Sequence, residues 1–431
     1  MQASPLKIGL LGLGTVGSGV VQILQANKTA IGIKLGRDLE ITKALVRNPQ
    51  LPRQVNYDSI RLTTDAAEII GDPEIDIIVE VMGGIEPARS YMLEALQCGK
   101  HVVTANKDLL ALHGRELLDT ATAAGKDLLF EASVAGGIPI IAALKQSLAG
   151  NQIKQLAGII NGTTNYILTA MAEQGREYAD VLKEAQELGY AEADPSSDVD
   201  GLDAARKLAI LASIAFGSAV TLNDVYTEGI SRISKTDLEY ARELDYTIKL
   251  LALANESEER VEVRVHPAFL PNSHPLAAVK GVFNAVYVVG DAVGETMFYG
   301  RGAGSLPTGS AVVADLMQVV RNMKTGANGN LNCTCYRRLE IKPVEEFKSA
   351  YYVRLQVKDE PRVLASLAAM FAEAGISFAS IIQKPKPDEA AELVLVSHPC
   401  QEGQMQQAVE NLKVYAKVLN ICNIIRVEGG Q

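Results

Sequence analysis

LKIGLLGLGTVGSGVVQILQAN, residues 6–27, decides the fold. The short apolar run Leu6–Leu11 meets Gly12-Leu-Gly14-Thr-Val-Gly17, and a helical pattern of apolar positions follows. This is the strand, glycine turn and helix of a dinucleotide site. Gly12 permits the tight turn, and Gly14 leaves room for a pyrophosphate over the helix start. Gly17 lets helix and strand pack closely. The free N–H groups of the first turn, at Thr15 and Val16, and the aligned peptide dipoles favour phosphate there. Three glycines at this spacing also occur by chance, so the surrounding pattern must support the reading.

It does. EITKALVR (40–47), IDIIVEVMGG (75–84), KHVVTANK (100–107) and DLLFEASV (127–134) read as further strands. Helical patterns at PARSYMLEALQCG and LLALHGRELLDTATAAG separate the later ones, and such alternation gives a doubly wound parallel sheet. The third strand ends in glycines at Gly83, where a ligand crosses the sheet edge. The second strand lacks the acidic residue that would hold a ribose 2′-hydroxyl and offers Arg47, which can pair with a 2′-phosphate. NADP(H) is therefore favoured over NAD(H), although a solvated loop arginine would look the same. Thr104, Asn106 and Lys107 close the next strand on the ligand side of the sheet. An ammonium at Lys107 can hold a carbonyl or hydroxyl oxygen beside a nicotinamide. A helix-start lysine facing water is the other reading.

Composition narrows the function classes. The 431 residues are 48% apolar and 21% charged, with a net charge of -10. That balance argues against a nucleic-acid partner, which needs a basic face. Charged residues interrupt every long apolar run, so no membrane span is expected. A strand pattern begins within a few residues of Met1, leaving no room for a leader peptide, and a cytoplasmic protein is expected. Five scattered cysteines, with Cys333-x-Cys335 as their one close pair, suit a reducing compartment and neither zinc nor disulfides.

Beyond Gly150 the pattern changes to strands and helices of an α+β domain. LDYTIKLLALANE is expected as a helix there, with VEVRVHPAFL and AVKGVFNAVYVVGD as strands. GSAVVADLMQVVRNM (309–323) is expected to return to the first domain, which makes the second an insertion. The glycine-rich YGRGAGSLPTG (299–309), with Gly302 and Gly304, either closes over the cofactor or forms a plain hairpin. Within the insertion, GYAEADPSSDVDGLDAARK (189–207) drives charge against the apolar run LAILASIAF. Asp203 and Lys207 share one face if the helix begins at Leu202. Asp200 and Asp203 could instead form a capping box. That leaves Arg206 and Lys207, side by side on an apolar helix, where a buried ammonium needs a partner or a ligand.

Together these segments resemble the homoserine dehydrogenases: Gly12, Gly14 and Gly17, the TANK segment ending at Lys107, EASVAGGIP from Glu131, NGTTNY from Asn161, and the box from Ala185 to Lys207. The resemblance implies NAD(P)-dependent interconversion of L-homoserine and L-aspartate 4-semialdehyde. It further implies that Lys107 and Lys207 stand nearest the reacting oxygen. Lys207 is the expected proton-transfer group and Lys107 the orienter, with the reverse assignment open. Glu192 and Asp203, with Asp198 and Thr164 beside them, are implied to hold the amino acid. It also implies a sodium or potassium ion at Glu131 and the carbonyls of Val134, Gly136 and Ile138. A phosphorylating semialdehyde dehydrogenase would need a positioned thiol, and Cys98 lies in a helical pattern. A non-catalytic NADP-binding regulator is the alternative outside enzymology.

From residue 350 the pattern resets to βαββαβ, a ferredoxin-like order. It resembles an ACT domain and implies a threonine effector, although Arg362 stands where such domains have glycine. The expected division is therefore 1–148 with 305–335 for the dinucleotide, 149–304 for substrate and dimerisation, a 336–349 linker and 350–431 for regulation. A homodimer or homotetramer is expected.

Overall fold

The structure, a computed structural model, describes residues 4–53, 55–329, 333–387 and 389–429. It divides into two compact units: Met1–Leu156 with Arg206–Val225 and Phe283–Arg338, and Ala157–Ala205 with Tyr226–Val282 and Leu339–Gln431. These limits differ from the expected three-part division. Residues 206–225 and 283–304 pack with the dinucleotide unit, and the C-terminal segment packs with the insertion.

The first unit is built on six parallel strands: β1 (Leu6–Leu11), β2 (Leu39–Leu45), β3 (Arg61–Thr63), β4 (Ile75–Glu80), β5 (His101–Thr104) and β6 (Leu128–Leu129). Their order is β3-β2-β1-β4-β5-β6, which reverses direction between β1 and β4 and opens a ligand crevice at their carboxyl ends. Both faces are covered, so the strands read as apolar runs with little alternation. The expected strand 127–134 ends at Leu129, and Glu131–Ser133 turns into a short 3-10 helix. There the Glu131 N–H donates to Asp315 at 2.8 Å, which draws the chain off the sheet.

The glycines after β1 are needed sterically. Gly12 has φ +104°, and a Cβ on Gly17 would lie 2.3 Å from the Gly12 carbonyl oxygen. The helix Ser305–Thr325 returns to this unit as expected and lies against the helix Thr15–Ala26. A Cβ on Gly19 would meet the Ser305 carbonyl oxygen at 2.1 Å, and one on Gly309 would meet the Gly19 carbonyl carbon at 2.8 Å. The two helices touch backbone to backbone.

In the second unit the segment expected as a helix at 244–256 is instead a strand, Tyr246–Ser257, paired antiparallel with Arg260–Pro271. Ile248–Ala254 is buried without a break, so the alternation that marks a strand is lost and the run mimics a buried helix. The C-terminal segment follows the ferredoxin-like order. Its strands lie as Val418–Val427, Lys348–Lys358, Ala390–Ser397 and Phe378–Lys386, with helices Val363–Glu373 and Glu402–Val414. The strand Val418–Val427 continues into the insertion's sheet by parallel pairing of Ala268 with Arg426 and Phe269 with Val427. Arg362 takes φ +72°, a left-handed conformation that costs about 1–2 kcal/mol outside glycine.

A buried polar knot holds these parts of the second unit together. Asp237, with no exposed surface, accepts from the Arg354 Nε at 2.8 Å, the Asn423 Nδ2 at 2.8 Å and the Tyr352 hydroxyl at 3.1 Å. Arg354 also reaches Glu392 at 3.2 Å, and Tyr240 donates to Glu392 at 2.8 Å. Burial alone would raise the Asp237 carboxyl, but the Arg354 guanidinium and the other donors more than offset it and hold it low.

Replacing Arg354 by alanine leaves that carboxylate buried without its cation and is expected to destabilise the chain by about 3–5 kcal/mol in denaturant melts. The pH dependence has a fixed sign. A depressed carboxyl adds stability above its unfolded pKa of about 3.9 and loses it as pH falls through the folded value. Asp237→Asn should therefore flatten the acid limb of the stability curve below about pH 4 relative to wild type.

Candidate active site

The crevice of the first unit carries the groups expected for a nucleotide. Gly14 is the N-cap of the helix Thr15–Ala26, no side chain caps that helix, and no acidic residue sits in its first turn. Nothing lies within 4 Å of where a Gly14 Cβ would stand. Thr15 is exposed and Val16 half-buried at this helix start. The Ser305 hydroxyl donates to the Thr15 carbonyl at 2.7 Å, so a second helix begins beside the first. Its N-cap, Gly304, also lacks a side-chain cap. Two uncapped helix starts at one place suit a diphosphate.

At the ends of β4 and β5 the backbone is tied by side chains. Glu80 is wholly buried and accepts from the Met82 N–H at 2.8 Å, the Gly83 N–H at 3.3 Å and the Thr104 hydroxyl at 2.6 Å. Thr104 in turn accepts from the Asn106 N–H at 3.0 Å. Asn106 caps the helix Lys107–Ala123 through the Leu109 N–H at 3.1 Å, and its amide donates to the Gly84 carbonyl at 2.7 Å. Lys107 is thus the first residue of a capped helix, half-buried at the carboxyl edge of the sheet. Its neighbour Asp108 lies 3.2 Å from Arg206, the residue before Lys207. One ion pair therefore joins the segments that carry the two lysines, and Lys207 is half-buried like Arg206.

In the second unit Asn161 gathers the acidic residues. Its amide nitrogen donates to Asp198 at 2.6 Å and to Asp203 at 2.9 Å. Its oxygen accepts from the Thr164 N–H at 2.8 Å and so caps the helix Gly162–Gln174. The Thr164 hydroxyl is turned back onto Asn161 at 2.9 Å and is buried. Asp203 is buried at 6% exposure, although it stands in the first turn of a helix that begins at Leu202. Glu192 is exposed on an irregular segment whose carbonyl at 192 accepts from the Gln186 amide at 3.1 Å.

The remaining expected residues are placed apart from these. Arg47 follows the end of β2 and is exposed. Gly83 and its neighbour Gly84 have φ of +74° and +76° with open space around them, as a loop against a ligand requires. Gly302 packs on protein, since a Cβ there would lie 2.0 Å from the Asn284 amide. Glu131 is buried, and its two carboxylate oxygens accept from the Ile141 N–H at 2.8 Å and the Ala142 N–H at 2.6 Å. Burial holds the Glu131 carboxyl above its usual range, and Asp315 beside it well above. Val134, Gly136 and Ile138 line a buried loop that reverses at Ala135 and Gly136, with φ of +54° and +50°.

Two residues of this arrangement are not site expectations of the sequence. Asn161 sits in the quoted NGTTNY, where its role as an N-cap was the available signal. Glu80 is a lone acid inside an apolar strand, and a charge so placed is itself the signal.

Comparison with known proteins identifies the chain's relatives. Residues 12–131 match the NAD binding domain of homoserine dehydrogenase, 139–317 the homoserine dehydrogenase family and 351–416 the ACT domain. The homoserine dehydrogenase of Bacillus subtilis is 46% identical over 98% of both chains. That of Synechocystis is 47% identical over 98% of this chain and 99% of the relative. The crystal structure of a homoserine dehydrogenase from Thiobacillus denitrificans superposes with a TM-score of 0.94 at 44% identity, covering 99% of each chain. A hyperthermophilic archaeal homoserine dehydrogenase in complex with NADPH is 26% identical, with a TM-score of 0.62 over 74% of this chain and 98% of its own. The chain belongs to the homoserine dehydrogenase family and carries out the NAD(P)-dependent interconversion of L-homoserine and L-aspartate 4-semialdehyde in threonine, methionine and isoleucine biosynthesis.

Proposed function

We propose that Lys207 moves the proton at the substrate oxygen, that Lys107 orients that oxygen, and that Asp203 and Glu192 hold the amino acid's ammonium. The observation that carries this reading is the Asp108–Arg206 ion pair, which ties the residue after Lys107 to the residue before Lys207. Bound NAD(P)H supplies the hydride at nicotinamide C4. In reduction negative charge grows on the aldehyde oxygen, and an ammonium beside it stabilises that charge and can release a proton to it. In oxidation the same lysine must accept the hydroxyl proton, directly or through water. Asn161 orients Asp203 and Asp198, and Thr164 holds Asn161 in turn.

The finer assignments rest on single residues. Arg47, exposed where an acid would hold a 2′-hydroxyl, supports NADP(H) over NAD(H), and the archaeal relative's NADPH complex is consistent with that. Glu131 offers hard oxygen donors for sodium or potassium, with the Val134, Gly136 and Ile138 carbonyls completing the set. The buried carboxylate, raised by desolvation, gains from a cation. Such an ion would fix the 131–138 loop, and no step of the reaction is assigned to it. The ACT segment would take threonine near Arg362. A homodimer or homotetramer accords with the family's dimerising insertion.

Lys207→Ala is expected to lower kcat in both directions by about 10²–10⁴-fold. Near-normal turnover would refute the assignment. Wild type and Arg47→Ala should be compared for NADPH and NADH oxidation with aspartate semialdehyde, each with and without sodium or potassium. Arg47→Ala should raise the KM for NADPH by about tenfold, the worth of one ~1.4 kcal/mol contact, and leave that for NADH unchanged. Loss of rate on removing both cations supports the Glu131 site, and no change removes it.

Deleting residues from 350 would strip a paired strand and unpair Asp237, so the effector is better tested by substitution. Threonine should inhibit wild type, and Arg362→Gly, which empties the turn, should shift half-inhibition by about tenfold for each ~1.4 kcal/mol of binding gained. Identical inhibition curves would place the sensor elsewhere.

A further inference from the structure

Glu80 is a carboxylate with no exposed surface at the end of a central strand, and among the described residues it forms no ion pair. A buried charge without a cation is costly, and a leucine or valine would fill the strand position more favourably. Its surroundings show what it does. One oxygen takes the N–H groups of Met82 and Gly83, which begin the turn that opens through Gly83 and Gly84. The other takes the Thr104 hydroxyl at 2.6 Å from the neighbouring strand, where Glu80 and Thr104 are direct register partners. Thr104 then holds the Asn106 N–H, and Asn106 both caps the Lys107 helix and closes the ring onto Gly84.

We infer that Glu80 is a positioning residue for hydride transfer. Its carboxylate locks the Gly83–Gly84 turn to the Thr104–Asn106 turn and so sets where the first residue of the next helix, Lys107, presents its ammonium. The inference rests on the reading of Lys107 as the group that orients the substrate oxygen. Burial keeps the carboxyl above its usual range, but hydrogen bonding rather than charge does this work. Glutamine can replace it: its oxygen accepts both N–H groups and its amide donates to the Thr104 oxygen. Alanine makes none of these bonds. Valine at 104 removes the shared hydroxyl with little change of shape.

The test measures kcat and KM for wild type, Glu80→Gln, Glu80→Ala, Thr104→Val, Lys107→Ala and the double variant Glu80→Ala/Lys107→Ala. Rates are normalised to NADPH-binding sites counted by fluorescence titration, so that unfolded protein does not contribute. Loss of kcat in Lys107→Ala establishes the reading on which the inference stands, and its absence would refute that reading alone. Glu80→Ala and Thr104→Val are then expected to lower kcat by about 10–100-fold, the scale of a misplacement near 1 Å, with KM for aspartate semialdehyde within about threefold. Glu80→Gln should keep more than about a third of the wild-type kcat, because the bonds are retained. In the Lys107→Ala background the Glu80→Ala change should cost less than about threefold further, since groups acting as one unit do not add. Normal kcat in Glu80→Ala, failure of glutamine to restore it, or full additivity with Lys107→Ala would overturn the inference. Where Glu80→Ala yields no folded protein, Thr104→Val takes its place in the cycle.

Discussion

The contact on which the first unit depends is a backbone-to-backbone approach between the first helix and the helix Ser305–Thr325. Gly19 faces the Ser305 carbonyl and Gly309 faces Gly19, with no space for a side chain at either position. The segments meet across almost the whole insertion, so the contact closes a very long loop and must be specific to repay that entropy. It also brings two uncapped helix starts together, linked by the Ser305 hydroxyl and the Thr15 carbonyl. Dispersion at close range thus creates the electrostatic feature that a diphosphate needs.

In the second unit buried polar groups help to join its pieces, beside the stacked rings of Phe269 and Tyr352. Asp237 and Arg354 draw the helix Lys235–Glu243 onto the C-terminal sheet, with Tyr240 and Glu392 completing the knot. A similar cluster places Arg426 between Glu228 and Glu402, at 3.0 and 2.8 Å. Such groups gain little net stability over a well-packed apolar core, yet they tolerate few alternative arrangements. This explains why the βαββαβ segment, which reads as a free-standing module, packs as one body with the insertion's sheet.

The glycine fingerprint, the doubly wound order and the ferredoxin-like pattern were legible because each depends on local rules of turn and periodicity. The strand Tyr246–Ser257 was not, since burial on both faces erases the alternation that distinguishes it from a helix. Residues 206–225 could not be assigned to the dinucleotide unit from pattern alone, because their packing partners lie far away in sequence. The acidic box was visible as misplaced charge, but the amide that organises it was not, since Asn161 looks like any N-cap. Glu80 was hidden for the opposite reason: one acid in a run of isoleucines attracts less notice than a cluster.

Asn161 has one more consequence. Its single amide nitrogen holds oxygens of both Asp198 and Asp203 within 2.9 Å, so two negative groups stand within Coulomb range of each other before any substrate arrives. The same side chain caps the helix Gly162–Gln174 through the Thr164 N–H. One amide thus ties the start of that helix to residues 198 and 203, so a shift in either segment is felt by the other.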